Sequence, residues 1–138
     1  MRIISDRYNI LYTVWCTNEH ELYDMTKDHG QLNNLAHPSK RHGLVLNQPI
    51  SKIQARLDAL LLVLKTCKAS ACTDPWSVLH PIGNVVNLED ALAEKYDDFY
   101  ASQPKVSFSE CELGQILSSE GPQKGNSYHG DEMWPHWV

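Results

Sequence analysis

The sequence has no apolar run approaching the ~20 residues that a membrane span needs. Its longest, Ala59 to Leu64, is bounded by Asp58 and Lys65 and suits a buried helix. A basic stripe is also missing: 12 Lys and Arg are interspersed with 17 Asp and Glu, for a net charge of -5. Binding a nucleic-acid backbone needs clustered cations, so the composition argues against that class of partner. There is no internal repeat, no long low-complexity tract and no Asn-x-Ser/Thr acceptor for glycosylation. The opening MRIISDRYNI lacks the long apolar centre and small-residue cleavage site of a signal peptide.

What remains is a chain of 138 residues with an ordinary hydrophobic share of 42%. That length fits one domain, which on folding buries roughly two-thirds of the unfolded chain's surface. Four cysteines are present: Cys16, Cys67, Cys72 and Cys111. An even count permits a disulfide framework with three possible pairings. Paired cysteines point to an oxidising compartment, whereas the missing signal points to the cytosol. A chain that has lost an amino-terminal portion would reconcile the two, and the compartment stays open.

Tyr8, Ile10, Tyr12 and Val14 alternate with Asn9, Leu11, Thr13 and Trp15, a strand pattern with one face fully apolar. Thr17 to His20 reads as a turn, and Glu21 to Met25 as a second strand paired antiparallel with the first. Ile50, Ile53, Leu57, Leu60, Leu61 and Leu64 recur at helical intervals and predict the covering helix. Ser51 with Gln54 matches a capping box, and Asn47 with Pro49 is a competing start. Lys65 and Lys68 fall where the helix dipole favours cations. A second helix is expected after Asn87, with Leu88, Leu92, Tyr96 and Phe99 on one face. Lys105 to Phe108 reads as a short strand.

This order predicts an α+β fold: a small antiparallel sheet covered by one or two helices, over residues 1–117. Residues 118–138, rich in Ser, Gly, Gln, Asn and Pro, are expected to form a flexible tail in which Trp134 and Trp137 could dock. The first strand is apolar on nearly both sides. A neighbour packed against Leu11, Tyr12 and Trp15, or self-association through them, is therefore expected.

The polar groups invite bland readings. Cys67 and Cys72 flank a short polar segment and are expected to form a structural disulfide. For Cys16 and Cys111 three fates stay open: pairing with each other, burial as thiols, or bonding elsewhere. No second Cys/His pair has metal-site spacing. Asp24 and Asp28 are expected to cap turns, and Asp97 and Asp98 to lie on a solvated helix face. His37, His42 and His80 are isolated in loop-like sequence. His129, Asp131, Glu132 and His136 in the tail have no fixed geometry.

The segment Glu21-Leu22-Tyr23-Asp24-Met25 through Asp28 to Leu35 resembles the region near the carboxyl end of arylsulfatase-type sulfatases. Arg7 to Ile10 resembles the aromatic strand that precedes it. Arg56 to Cys67, Cys72 to Trp76, Lys105 to Phe108 and Cys111 to Gly114 resemble the succeeding region of fungal-type members. The likeness covers about residues 7 to 123. His29-Gly30 replaces the usual Pro-centred turn, and Gln31 stands where the family prefers Glu. The resemblance implies a sulfuric ester hydrolase parent that uses formylglycine, made within a Cys-x-Pro-x-Arg setting, and a calcium-like ion. None of the four cysteines stands in that setting. The resemblance therefore implies no catalytic, cofactor-binding or metal-binding residue in this chain, and a catalytic sulfatase domain as its partner. The alternative is a free-standing protein-interaction module derived from the same end piece.

Overall fold

A computed structural model of the protein describes residues 1–40, 42–114 and 116–122. The apolar alternation after Arg7 becomes the centre of a sheet. Strands β1 (Arg2–Ile4), β2 (Asn9–Val14) and β3 (His20–Asp24) pair antiparallel in the order β1-β2-β3. Ile3 stands opposite Ile10, Tyr12 opposite Leu22, and Val14 opposite His20. Directly opposed residues share a face. The inner face thus carries Ile3, Ile10, Tyr12, Val14, Leu22 and His20; the outer face carries Arg2, Ile4, Asn9, Leu11, Thr13, Glu21 and Tyr23.

This register corrects one expectation. Tyr12 is fully buried on the inner face and is no part of an uncovered surface. The outer face is also more polar than Leu11 suggested, because Arg2, Asn9, Thr13 and Glu21 share it. Trp15, just beyond β2, is 51% exposed.

Beyond β3 the chain folds back along the strand's free edge. Leu35 N–H donates to Leu22 O at 2.8 Å, and the Asn34 amide both accepts from Leu22 N–H and donates to His20 O, each at 3.0 Å. Asp24 and Asp28 cap the intervening turns: Asp24 accepts from Thr26 N–H, and Asp28 from Leu32 and Asn33 N–H.

A two-residue turn at Leu46 and Asn47 joins β4 (Leu44–Val45) to β5 (Gln48–Pro49). Both turn residues have positive φ, the conformation that matches strand twist in such hairpins. Helix α1 (Ile50–Thr66) starts directly after Pro49, which sits at the N-cap and offers no side-chain bond. The Ser51–Gln54 capping box is therefore not used, because the helix begins one residue before Ser51. Ile53, Leu57, Leu60 and Val63 join Ile10, Tyr12 and Leu22 in one core. Burial of each large side chain contributes about 1.5–3 kcal/mol before entropy is counted.

Two short helices, α2 (Ser70–Thr73) and α3 (Pro75–Leu79), come next. Asn87 caps α4 (Leu88–Ala91) by accepting from Asp90 N–H at 2.9 Å. The single helix expected onward to Phe99 is instead broken. Ala93 is extended, a 3-10 turn covers Glu94–Tyr96, and α5 (Asp97–Ser102) begins afresh. The carbonyl of Ala91, which in a continuous helix would accept from the N–H four residues on, accepts from Arg56 Nε at 3.0 Å.

Strands β6 (Ser107–Phe108) and β7 (Glu120–Gly121) pair antiparallel. Two devices fasten β6 to the β2–β3 turn. The Asn18 amide donates to Phe108 O and accepts from Phe108 N–H, and Cys16 is bonded to Cys111. Cys67 is bonded to Cys72 at the end of α1. The fold is α+β, with small antiparallel sheets and helices around one core. No helix of the described residues is long and apolar enough to cross a membrane. Of the expected tail, residues 118–138, the first few are drawn into a 3-10 turn (Leu117–Ser119) and β7, while the rest from 123 on, with Trp134, Trp137 and the metal-capable His129 and His136, lies outside the described residues.

Candidate functional site

Helix α1 carries two buried charges, Arg56 and Asp58. Each organises a separate polar cluster.

The Arg56 cluster is closed. Its guanidinium donates to Ala91 O and to Asp97 Oδ1, and lies 4.5 Å over the Tyr100 ring. Lys52 Nζ stands 3.4 Å from the same Asp97 oxygen. Partial burial pushes the Asp97 carboxyl up, but the hydrogen bonds and charges of Arg56 and Lys52 outweigh it and hold the group below the usual carboxylate range. Asp97 stays half exposed, as an acid on a helix face is expected to be, but it is not free. A partner 41 residues away claims it, while Asp98 is exposed as expected. Beside this cluster, buried His80 shares a 2.8 Å hydrogen bond with the Tyr100 hydroxyl and packs on Tyr96 and Phe99. Burial, then the charges of Arg56 and Lys95, push its pKa below the ordinary histidine value.

The Asp58 cluster is open on one side. Tyr12 Oη donates to Asp58 Oδ1 at 2.5 Å and lies 2.5 Å from His20 Nδ1. Burial raises the Asp58 pKa; the Tyr12 hydrogen bond and the charges of His20 and Lys105 only partly offset this. Burial and the neighbouring Asp58 raise the Tyr12 phenol as well. The register places these groups. Tyr12 and Val14 share the inner face, and His20 stands opposite Val14, one diagonal step from Tyr12. Asn34 pins the His20 backbone carbonyl.

His20 and Asp58 border a cavity of about 1000 Å³ between the β2–β3 turn and α1. Trp15, Glu19, Glu21 and Lys105 also line it. His37 lies on its rim, whereas His42 is elsewhere and exposed. Among the described residues, no three His, Cys, Asp or Glu side chains converge as a metal site would require. The four cysteines that sequence reasoning singled out form two separate disulfides, so none offers the thiolate that nucleophilic chemistry uses.

Sequence reading did not find the Tyr12–His20–Asp58 chain. One signal pointed to it: Asp58 is a carboxylate between Leu57 and Ala59 inside an apolar helix, where an acid needs a buried partner.

Relatives among known proteins add what geometry alone does not. The chain is 46% identical over 123 residues to the sulfatase ppz1 of Metarhizium majus, covering 88% of this chain and 27% of that protein. It is 40% identical over 98 residues to an arylsulfatase of Volvox carteri, 71% of this chain and 14% of the relative. It is also 40% identical over 96 residues to an arylsulfatase of Chlamydomonas reinhardtii, 70% of this chain and 13% of the relative. The chain therefore spans between 13% and 27% of the length of these curated relatives. No family model matches the sequence, and no solved structure matches it.

Proposed function

From a chain that belongs to the arylsulfatase-type sulfatase family, as a part-length relative of its members, we propose a supporting layer for a sulfuric ester hydrolase. In this reading the reactive machinery is supplied by the part of the relatives that lies outside the stretch matched here. The observation that carries it is the state of the four cysteines. All are tied up in disulfides, and none stands in a Cys-x-Pro-x-Arg setting from which formylglycine is made.

Among the described residues the donor set does not fit the divalent cation of the parent family either. A calcium-like ion needs six or more oxygens converging on one point. Asp24 and Asp28, the two carboxylates of one loop, already accept backbone N–H groups of their own turns. No hydrolytic step is therefore assigned to this chain. Its outer sheet face, where Ile4 is 66% exposed beside half-buried Leu11, is the surface offered to the catalytic portion.

Two assays test the reading. The purified chain should not turn over an aryl sulfate with or without calcium; metal-dependent turnover would falsify the proposal. Grafting this chain over the matching 27% of the Metarhizium sulfatase should give an active hydrolase. A soluble but inactive chimera would count against a supporting role and favour the alternative, an interaction module with a partner of its own.

A further inference from the structure

The cavity beside His20 has no part in that supporting role. We infer that it is a binding site for an uncharged, hydroxyl-rich ligand of the carbohydrate class, with Trp15 as stacking platform and His20 as an oriented acceptor.

Proton counting fixes the state of the histidine. A phenol has one proton to give. An ionised Asp58 can only accept, so the Tyr12 proton goes to its Oδ1, 2.5 Å away. The Tyr12 oxygen can then serve His20 Nδ1, also 2.5 Å away, only as an acceptor. His20 must therefore carry its proton on Nδ1. In a neutral imidazole that leaves Nε2 with a free lone pair. The Nδ1 edge of the ring faces the buried tyrosine, while the side chain remains 29% exposed at the cavity. The fold thus sets one tautomer of a half-exposed histidine from inside.

The rest of the lining selects the ligand. Glu19 and the Asp58 carboxylate add acceptors, and among the described lining residues Lys105 is the lone Lys or Arg; Glu21, though it borders the cavity, spends its carboxylate on Tyr23. Acceptors outnumber fixed cations, so an anion is disfavoured and a donor-rich ligand is matched. Trp15 is half exposed at the same cavity and offers a flat apolar face to a sugar ring. A volume of about 1000 Å³ is ample for a disaccharide.

The test uses the full chain and NMR at pH 8, with cellobiose, lactose and maltose as probes, and tetramethylammonium chloride and sodium sulfate as competing chemistries. A disaccharide should saturate shifts of the Trp15 indole N–H and the His20 ring nitrogens in the millimolar range. His20 should show the Nδ1–H tautomer before ligand is added. Trp15→Ala, a change at a half-exposed side chain, should weaken binding at least tenfold. Tyr12→Phe, folded as judged by its spectrum, should let the tautomers mix and weaken binding several-fold; His20→Gln gives a second reading of the same contact at a less buried position. The idea is overturned if none of the three sugars gives a saturable shift, if only tetramethylammonium or sulfate does, or if His20 carries its proton on Nε2.

Discussion

Arg56 and Asp58 lie two residues apart on α1, and at about 100° per residue the helix points them to nearly opposite sides. Both are buried, 2% and 4% exposed, yet their surroundings differ. Arg56 meets a carbonyl, a carboxylate and an aromatic face, so its desolvation is answered on every side. The Asp58 carboxylate accepts one phenol and borders a cavity. A buried charge with a full set of partners fixes the positions of chain segments, here α1 against α4 and α5. A buried charge with a single direct hydrogen bond, and His20 only 3.9 Å away, instead keeps a proton-bearing chain poised next to open space.

The contrast can be broken most severely from the cavity side. The Cys16–Cys111 bond joins residues 95 apart, and the chain-entropy account gives about 4–5 kcal/mol for a loop of that size. Replacing both with Ser should lower the urea midpoint by a corresponding amount. The Cys67–Cys72 pair, 5 residues apart, should cost only about 2 kcal/mol when replaced likewise. A double Ser variant at 16 and 111 no weaker than that at 67 and 72 would show that the β6 clamp does not matter.

The next effect belongs to the closed cluster. Arg56→Ala should destabilise by about 3 kcal/mol, because it strips the Ala91 carbonyl and the Tyr100 ring of their partner and removes a well-packed stem. Asp97→Ala should cost no more than about 1 kcal/mol, since its carboxylate is half solvated and screened. Equilibrium denaturation of both variants and their double gives the coupling directly.

The smallest effects are pH slopes of opposite sign. His80 has a folded pKa below its ordinary 6.5. As pH falls through 6.5 the unfolded chain takes up a proton that the folded chain refuses, so stability declines on the acid side. Asp58 behaves inversely: its folded pKa lies above the ordinary 3.8. Between those two values the folded chain holds the extra proton, so stability declines as pH rises through that window. His80→Gln should flatten the first slope and Asp58→Asn the second. The latter should leave neutral-pH stability within about 1 kcal/mol, since a buried, sparsely paired charge is removed. Urea midpoints measured from pH 4 to 8 would reveal a variant that leaves its slope unchanged.

The same pair explains how much of the molecule was legible in its sequence. The β2–β3 hairpin, the body of α1, the Asn87 cap and the turns at Asp24 and Asp28 are written in local periodicity and cap chemistry. Strand β1 escapes such a reading because Arg2-Ile3-Ile4 is too short to show a period. The break after Ala91 escapes it because its cause, Arg56, lies 35 residues upstream. Tyr12 and Asp58 are 46 residues apart. Each half of that contact looks ordinary where it stands, an aromatic in a strand and an acid in a helix. Periodicity reports which face is buried and is silent on which buried polar groups will find one another.

The fold-back of Asn34 and Leu35 along β3 governs how copies of this protein can meet. The outward carbonyls of His20, Leu22 and Asp24 and the outward N–H of Leu22 are all occupied from within the chain. A foreign strand arriving there finds no ladder to extend, so sheet growth of the kind that seeds fibrils is shut off at this border. At that border any partner must dock through side chains.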